Sequence, residues 1–314
     1  MMAWQPTRWL CTMWGLLGGV GGFSQSSGGV KPVILRELVS SCVDACQRGC
    51  AAIAAVEASS GPVEVRRKVA GDAKSALTRA DLEAQEIIVS CLRATWPGLR
   101  VVGEEDEAET RAVEVPEGDP LRVDLCGPAR ADEEVVALED VVVFVDPLDG
   151  TREFVEGRLD AVQSLVGISV RGRPRAGVAG LPFPDGDRSS APLVSSFGGG
   201  GGGDHTNGAL SWHGGRRVRE TDERVEVIVA TGDSAEDPAM LVAKRAALET
   251  GAACVAMGAT GNKFLALVEG RCDVAVLHRK TCAWDTCGWE AALVAAGVSN
   301  SQYFQFYVRC LSCG

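Results

Sequence analysis

Histidine is scarce in this chain: His205, His213 and His278 are its three, and none lies near a motif. Chemistry that depends on a histidine nucleophile has little to draw on. Basic charge is also short. Lys and Arg number 31 against 42 Asp and Glu, a net charge of -11, so the surface repels polyanions on average and non-specific binding to nucleic acid or to an anionic membrane is disfavoured. A phosphorylated small molecule binds such a chain only where cations or backbone donors locally overturn the field. In an acidic protein, carboxylates that hold metal ions do this. No apolar run is long enough to span a bilayer, since the stretch from Trp9 to Val20 is too short. No internal repeat is visible, and the chain is expected to act as a monomer.

A disulfide framework is absent too, although there are twelve cysteines. Cys42, Cys46 and Cys50 recur every four residues on one helix face, as small buried apolar residues do. Cys310 and Cys313 form a CxxC with no second pair, weak grounds for zinc. This scatter fits a reducing compartment. Met1–Pro32 contains no acidic residue and runs from Arg8 through the apolar segment into Gly/Ser. It reads either as a targeting peptide or as a disordered extension. The expected location is accordingly cytoplasmic, or organellar if the segment is a transit peptide.

What is present suffices for one large domain or two closely packed ones: 314 residues, 46% hydrophobic. The pattern predicts a helix over Val33–Ala58, with Leu35, Leu38, Val39, Cys42, Val43, Cys46 and Ile53 on one stripe. A second helix is predicted over Thr78–Thr95, burying Leu82, Ile87, Ile88, Cys91 and Leu92 and stopped by Pro97-Gly98. Leu99–Val102 reads as a strand, the acidic stretch Glu107–Glu139 as a surface excursion, and Val141–Val145 as a strand covered on both faces. Ser164–Val170 and Ala176–Leu181 make a hairpin. After the glycine tract Gly198–Gly203 come strand Val225–Ala230, helices Pro238–Glu249 and Lys263–Glu269, strand Asp273–Leu277 and helix Asp285–Ala296. The expected division is 1–32 as an extension, 33–200 as one half, 201–298 as a second, and 299–314 as an unmatched tail.

The strongest chemical signal is Asp146-Pro147-Leu148-Asp149-Gly150-Thr151, directly after the buried strand. Charges leaving a core need partners. Pro147 and Gly150 bend the chain so that Asp146 and Asp149 can converge, with the Leu148 carbonyl between them. Hard divalent cations choose this kind of oxygen-only set. A helix starting near Gly150 would turn its free N–H groups toward a phosphate. An ordinary Asx turn with a capping threonine fits the spacing equally well. Asp81 in Thr78-Arg79-Ala80-Asp81 reads by itself as a capping box, Glu104-Glu105 as an acidic loop, and Asp285 as an N-cap. Together they place carboxylates beyond a strand or at a helix start four times, as loop-borne sites on a rigid scaffold require.

These motifs, in this order and with Gly258–Lys263 and Trp284-Asp285-Thr286-Cys287, resemble those of the lithium-sensitive magnesium phosphatases of the inositol-monophosphatase superfamily. Leu148, Gly150, Arg152-Glu153-Phe154 and Glu156-Gly157 are most similar to its 3′(2′),5′-bisphosphate nucleotidase branch. The resemblance covers about Val33 to Ala296. It implies an α+β fold, a layered α/β sandwich of the inositol-monophosphatase/fructose-bisphosphatase type whose C-terminal elements are truncated. It also implies that Mg2+ is held by Glu104, Asp146, the Leu148 carbonyl, Asp149 and Asp285, and that Asp81 and Thr151 position and deprotonate the attacking water. Gly150 and Thr151 would offer amides to the phosphate. Ser234, Ala259 and Lys263 would lie toward the nucleotide end of adenosine 3′,5′-bisphosphate. Metal-assisted hydrolysis by water needs no protein nucleophile. Two departures stand out. Thr231-Gly232-Asp233-Ser234 is less basic than the branch's Arg-Ser-His segment, and Ser299–Gly314 matches nothing in the family.

Overall fold

A computed structural model describes residues 31–59, 65–67, 76–105, 119–128, 131, 133–198, 227–232, 238–277 and 281–295. Strand β1 (Pro32–Ile34) runs straight into helix α1 (Leu35–Ala58). The short strands β2 (Val65–Arg67) and β3 (Ala76–Thr78) pair antiparallel and deliver α2 (Arg79–Thr95). Next come β4 (Arg100–Gly103), β5 (Val135–Ala137), β6 (Val141–Asp149) and the one-turn helix α3 (Thr151–Val155). The hairpin of β7 (Gln163–Val170) and β8 (Arg173–Leu181) follows, then β9 (Leu193–Gly198). The last segment holds β10 (Ile228–Thr231), α4 (Pro238–Glu249), β11 (Ala253–Ala256), α5 (Thr260–Val268), β12 (Val274–Ala275) and α6 (Ala283–Ala295).

The principal sheet has the order β4-β6-β7-β8-β9, parallel between β4 and β6 and antiparallel elsewhere. Its two faces bury different helices. Val166, Ile168 and Val178 join Leu38, Cys42, Cys46, Ile88 and Leu92 of α1 and α2. The alternate residues Leu165, Ala179 and Leu181 join Phe264, Leu265, Trp289 and Leu293 of α5 and α6. Side chains alternate across a strand, so helices on both faces explain why β7 is buried along its whole length. Helix, sheet and helix form a three-layer α+β sandwich. A smaller parallel sheet, β11-β10-β12, sits beside α4 and α5.

Glycine sets how closely α6 approaches. Gly167 and Gly177 are register partners on β7 and β8, and both face Gly288 of α6. A Cβ on Gly177 would lie 2.3 Å from the Gly288 Cα, and one on Gly167 2.7 Å from the Gly288 nitrogen. Backbone lies on both sides of this contact, so no rotamer change relieves an added methyl.

Several sequence expectations need correction. Helix α2 turns Ala84, Ile88, Cys91 and Leu92 inward with the polar Asp81 and Gln85, while Leu82 and Ile87 are only half-buried. The face that carries site residues takes part of the buried arc. The stretch Glu107–Glu139 is no mere surface excursion where it is described. Leu121 and Leu138 are buried, β5 pairs with β1, and Asp119 and Arg122 tie back to Arg48 and Asp44 of α1. Its acidic composition, interrupted by proline and glycine, hid isolated apolar anchors. Helix α5 begins at Thr260 rather than Lys263, for a reason given below. Met1–Val30, the glycine tract beyond Gly198, the three histidines, Ser234 and the CxxC lie outside the described residues.

Candidate active site

On a regular strand, residues three apart point to opposite faces. Asp146 and Asp149 escape this through an irregularity in β6. Asp146 pairs with Leu165 and Asp149 with Gln163, so three residue steps on β6 span two on β7. Pro147 supplies no N–H to the ladder there, and the Leu148 N–H donates to Asp146 Oδ1 at 3.1 Å. An extra residue of this kind re-aims side chains. Both carboxylates consequently face the third, Asp285, and one oxygen of each of the three lies within 4.8 Å of the others. Asp285 is the third residue of α6, where it accepts the Cys282 N–H, rather than the N-cap itself.

Gly150 follows in the left-handed region (φ 95°) and turns the chain into α3, so Thr151 opens that helix. The Thr151 hydroxyl donates to Asp81 Oδ1 at 2.9 Å and lies 3.3 Å from the Leu148 carbonyl. Asp81 is held in turn by its own capping box: the Thr78 N–H and hydroxyl both donate to Oδ2, at 2.8 and 2.5 Å. The Glu104 N–H donates to the Val145 carbonyl at 2.9 Å, extending the β4–β6 pairing and bringing its carboxylate beside Asp146.

Helix α5 has no side-chain cap of its own. Asp149, 111 residues earlier, supplies it: the Thr260 and Gly261 N–H groups donate to its two oxygens at 3.0 and 2.5 Å. That explains the early helix start, which no local pattern announces. Ala259, just before it, has φ 56° and ψ 152°. Lys263 is buried, and its Nζ donates to the Ala259 carbonyl at 2.5 Å.

The electrostatics follow from this crowding. Burial first, then the neighbouring Glu104, Asp149 and Asp285, push the Asp146 carboxyl well above the usual carboxylate range. Burial likewise raises Asp285, with Asp149 and Glu104 adding to it. Asp149 is lifted by burial to about 6, against the pull of the Thr260 and Gly261 N–H groups and of Lys263. Carboxylates forced together out of water resist ionising unless a cation joins them. An oxygen-only donor set of this kind suits a hard divalent ion, so residues and cation fit.

Gln85 and Gln163 beside the site went unnoticed in the sequence, and Glu153 was read only as part of the Arg152-Glu153-Phe154 motif. Gln85 braces the turn after β4 by exchanging hydrogen bonds with the Glu105 backbone at 2.8 and 2.9 Å. Glu153, 3% exposed, accepts from Arg152 and Arg158 and lies against Gly258. Gln163 faces Asp149 across the strand pair.

The family model for the inositol monophosphatase family matches residues 35–304, so it reaches six residues into the tail from Ser299 that the sequence reading left unmatched. The chain belongs to the inositol monophosphatase family. It is thus a phosphatase of that superfamily, and its curated relatives agree. The 3′(2′),5′-bisphosphate nucleotidase 1 of Dictyostelium discoideum is 30% identical over 275 residues, covering 85% of each chain. The Homo sapiens protein of the same name is 30% identical over 270 residues, covering 84% of this chain and 82% of its own. Among solved structures, the extragenic suppressor protein suhB from Bartonella henselae shares the fold. Its TM-score is 0.58 at 18% identity, covering 83% of this chain and 85% of that one. Among the described residues, no helix is long and apolar enough to cross a membrane.

Proposed function

We propose that this protein is a magnesium-dependent phosphatase that hydrolyses the 3′-phosphate of adenosine 3′,5′-bisphosphate to give AMP and phosphate. The observation that carries the reading is the convergence of Asp146, Asp149 and Asp285 within 4.8 Å, beside the Thr151–Asp81 hydrogen bond. The nucleotide branch rests on the Leu148-to-Phe154 motif and on relatives named for that activity. Glu104, Asp146, the Leu148 carbonyl, Asp149 and Asp285 would hold Mg2+. When bound, it would neutralise phosphate charge and lower the pKa of an attacking water.

The chain's own residues manage the proton. Both Thr78 donors take Asp81 Oδ2, and Oδ1 receives the Thr151 hydroxyl. With its hydrogen committed to Asp81, the hydroxyl turns its lone pairs outward, ready to accept from the attacking water. As the water oxygen bonds to phosphorus and the bond from phosphorus to the 3′ oxygen breaks, the water's proton passes to the Thr151–Asp81 pair and the departing 3′ oxygen takes a proton from solvent. The Gly150 and Thr151 amides would face the phosphate, with Ser234, Ala259 and Lys263 toward the nucleotide end. Monoester hydrolysis is so slow in water that positioning and charge neutralisation must supply most of the acceleration.

Phosphate release from adenosine 3′,5′-bisphosphate and from inositol 1,4-bisphosphate, with and without magnesium, tests the reading. Magnesium-dependent release from the nucleotide is expected. Release from the inositol compound alone would keep the mechanism and overturn the substrate. Release that ignores magnesium would overturn both.

A further inference from the structure

Gln163 opens β7 and sits directly opposite Asp149 in the β6–β7 register. Such pairs place their side chains close together on one face of the sheet. Both reach the same spot: a Cβ built on Gly261 would lie 2.3 Å from Gln163 Oε1 and 2.8 Å from Asp149 Oδ2. Gln163 is 0% exposed, yet neither its Oε1 nor its Nε2 has a hydrogen-bond partner among the described residues. A buried carboxamide with no partner destabilises the fold, and an apolar side chain of the same shape would remove that cost. Its place beside a self-repelling carboxylate cluster indicates what would satisfy it. A hydrated divalent cation brings water molecules whose hydrogens need acceptors, and partners in the outer shell fix the ligands they touch.

We propose that Gln163 is a positioning residue of the cation site, its carboxamide holding a water molecule in the shell of the cation bound at Asp149. The inference rests on the metal-dependent reading above and deepens it. Neither the acidic motifs nor the family resemblance marks this position.

The test titrates magnesium chloride alone into the wild-type protein, Gln163→Met and Gln163→Leu by calorimetry, and records each melting temperature without metal. Met is unbranched and close to Gln in length, so it decides the matter if the Leu variant misfolds. Both variants should keep or raise the metal-free melting temperature, bind magnesium about tenfold more weakly, and show a smaller magnesium-induced rise in melting temperature. Variants that bind magnesium like wild type would overturn the role of Gln163 and leave the metal-dependent reading intact. A fall in metal-free melting temperature in the Met variant, with unchanged magnesium affinity, would assign the amide a purely structural role and overturn the proposal. Failure of the wild-type protein to bind magnesium would instead sink the metal-dependent reading, and this inference with it.

Discussion

Asp146, Asp149, Thr151 and Asp81 on one side of the carboxylate cluster, and Asp285 with the start of α5 on the other, are held by different kinds of contact. On the near side the hydrogen bonds run within and between neighbouring elements, from Thr78 to Asp81, Asp81 to Thr151, and Leu148 to Asp146. The first and last restrain a carboxylate against backbone, and the middle one links two side chains. On the far side, position depends on packing. Asp285 rides on a helix whose depth is set by Gly167, Gly177 and Gly288, and α5 is tied to Asp149 by two N–H groups. The near side should therefore respond to polar substitutions and the far side to volume. Losing either dismantles the carboxylate cluster, since it needs a member from each.

The comparison can be broken most forcefully from the near side. Thr151→Val keeps shape and removes the hydroxyl, so kcat should fall by about 10²–10⁴-fold while calorimetric magnesium affinity stays within about twofold. Magnesium affinity that falls in step would make Thr151 part of the cation site instead. From the far side, Gly177→Val drives two methyls into the Gly288 backbone. It should cost roughly 1–3 kcal/mol in denaturant unfolding and weaken magnesium binding as α6 moves outward. Unchanged stability would mean that the helix is not seated on that glycine.

A pH series sharpens the same contrast. In the metal-free folded protein Asp149 keeps its proton up to about 6, whereas the ordinary carboxyl value is 3.8. The folded state thus binds more protons than the unfolded state between those values. Stability then falls as pH rises through that window, and the loss is complete above it. Asp146 and Asp285 act in the same direction. Melting temperature without metal should drop from pH 4 to pH 6 because of this cluster, and Asp149→Asn should flatten the slope. An Asp149→Asn profile parallel to wild type would contradict the assignment.

The smallest effect is expected at Ala259. Its backbone, φ 56° with ψ 152°, costs a non-glycine residue of the order of 1–3 kcal/mol. Glycine there would relieve that strain and lose roughly 0.5–1 kcal/mol to extra freedom in the unfolded chain. The balance predicts Ala259→Gly to be more stable by roughly 0–2.5 kcal/mol, read from the denaturation midpoint.

Legibility in the sequence divides along the same line. Helices α1 and α2 and strands β6, β7 and β8 were visible because their apolar periodicity is local. The acidic motifs were visible because each ends a strand or starts a helix. Strands β1, β5 and β11 were not, being three or four residues long and mostly half-buried or exposed. The start of α5 was misplaced because its cap comes from Asp149 and not from a neighbour in sequence. The irregularity that converges Asp146 and Asp149 depends on register against β7, which no single segment encodes. Gln85 and Gln163 were missed because one buried polar side chain leaves the apolar pattern unchanged, and Glu153 was read in its motif without its ion pairs.

The central claim is that carboxylates from both sides form one cation site, and magnesium titration of the wild-type protein, Asp146→Asn and Asp285→Asn by calorimetry tests it most directly. The account predicts saturable binding to wild type and affinity at least about tenfold weaker in each variant, all three being folded. Asp285→Asn binding magnesium as tightly as wild type, with Asp146→Asn impaired, would show that the far side takes no part in the site and would contradict the account.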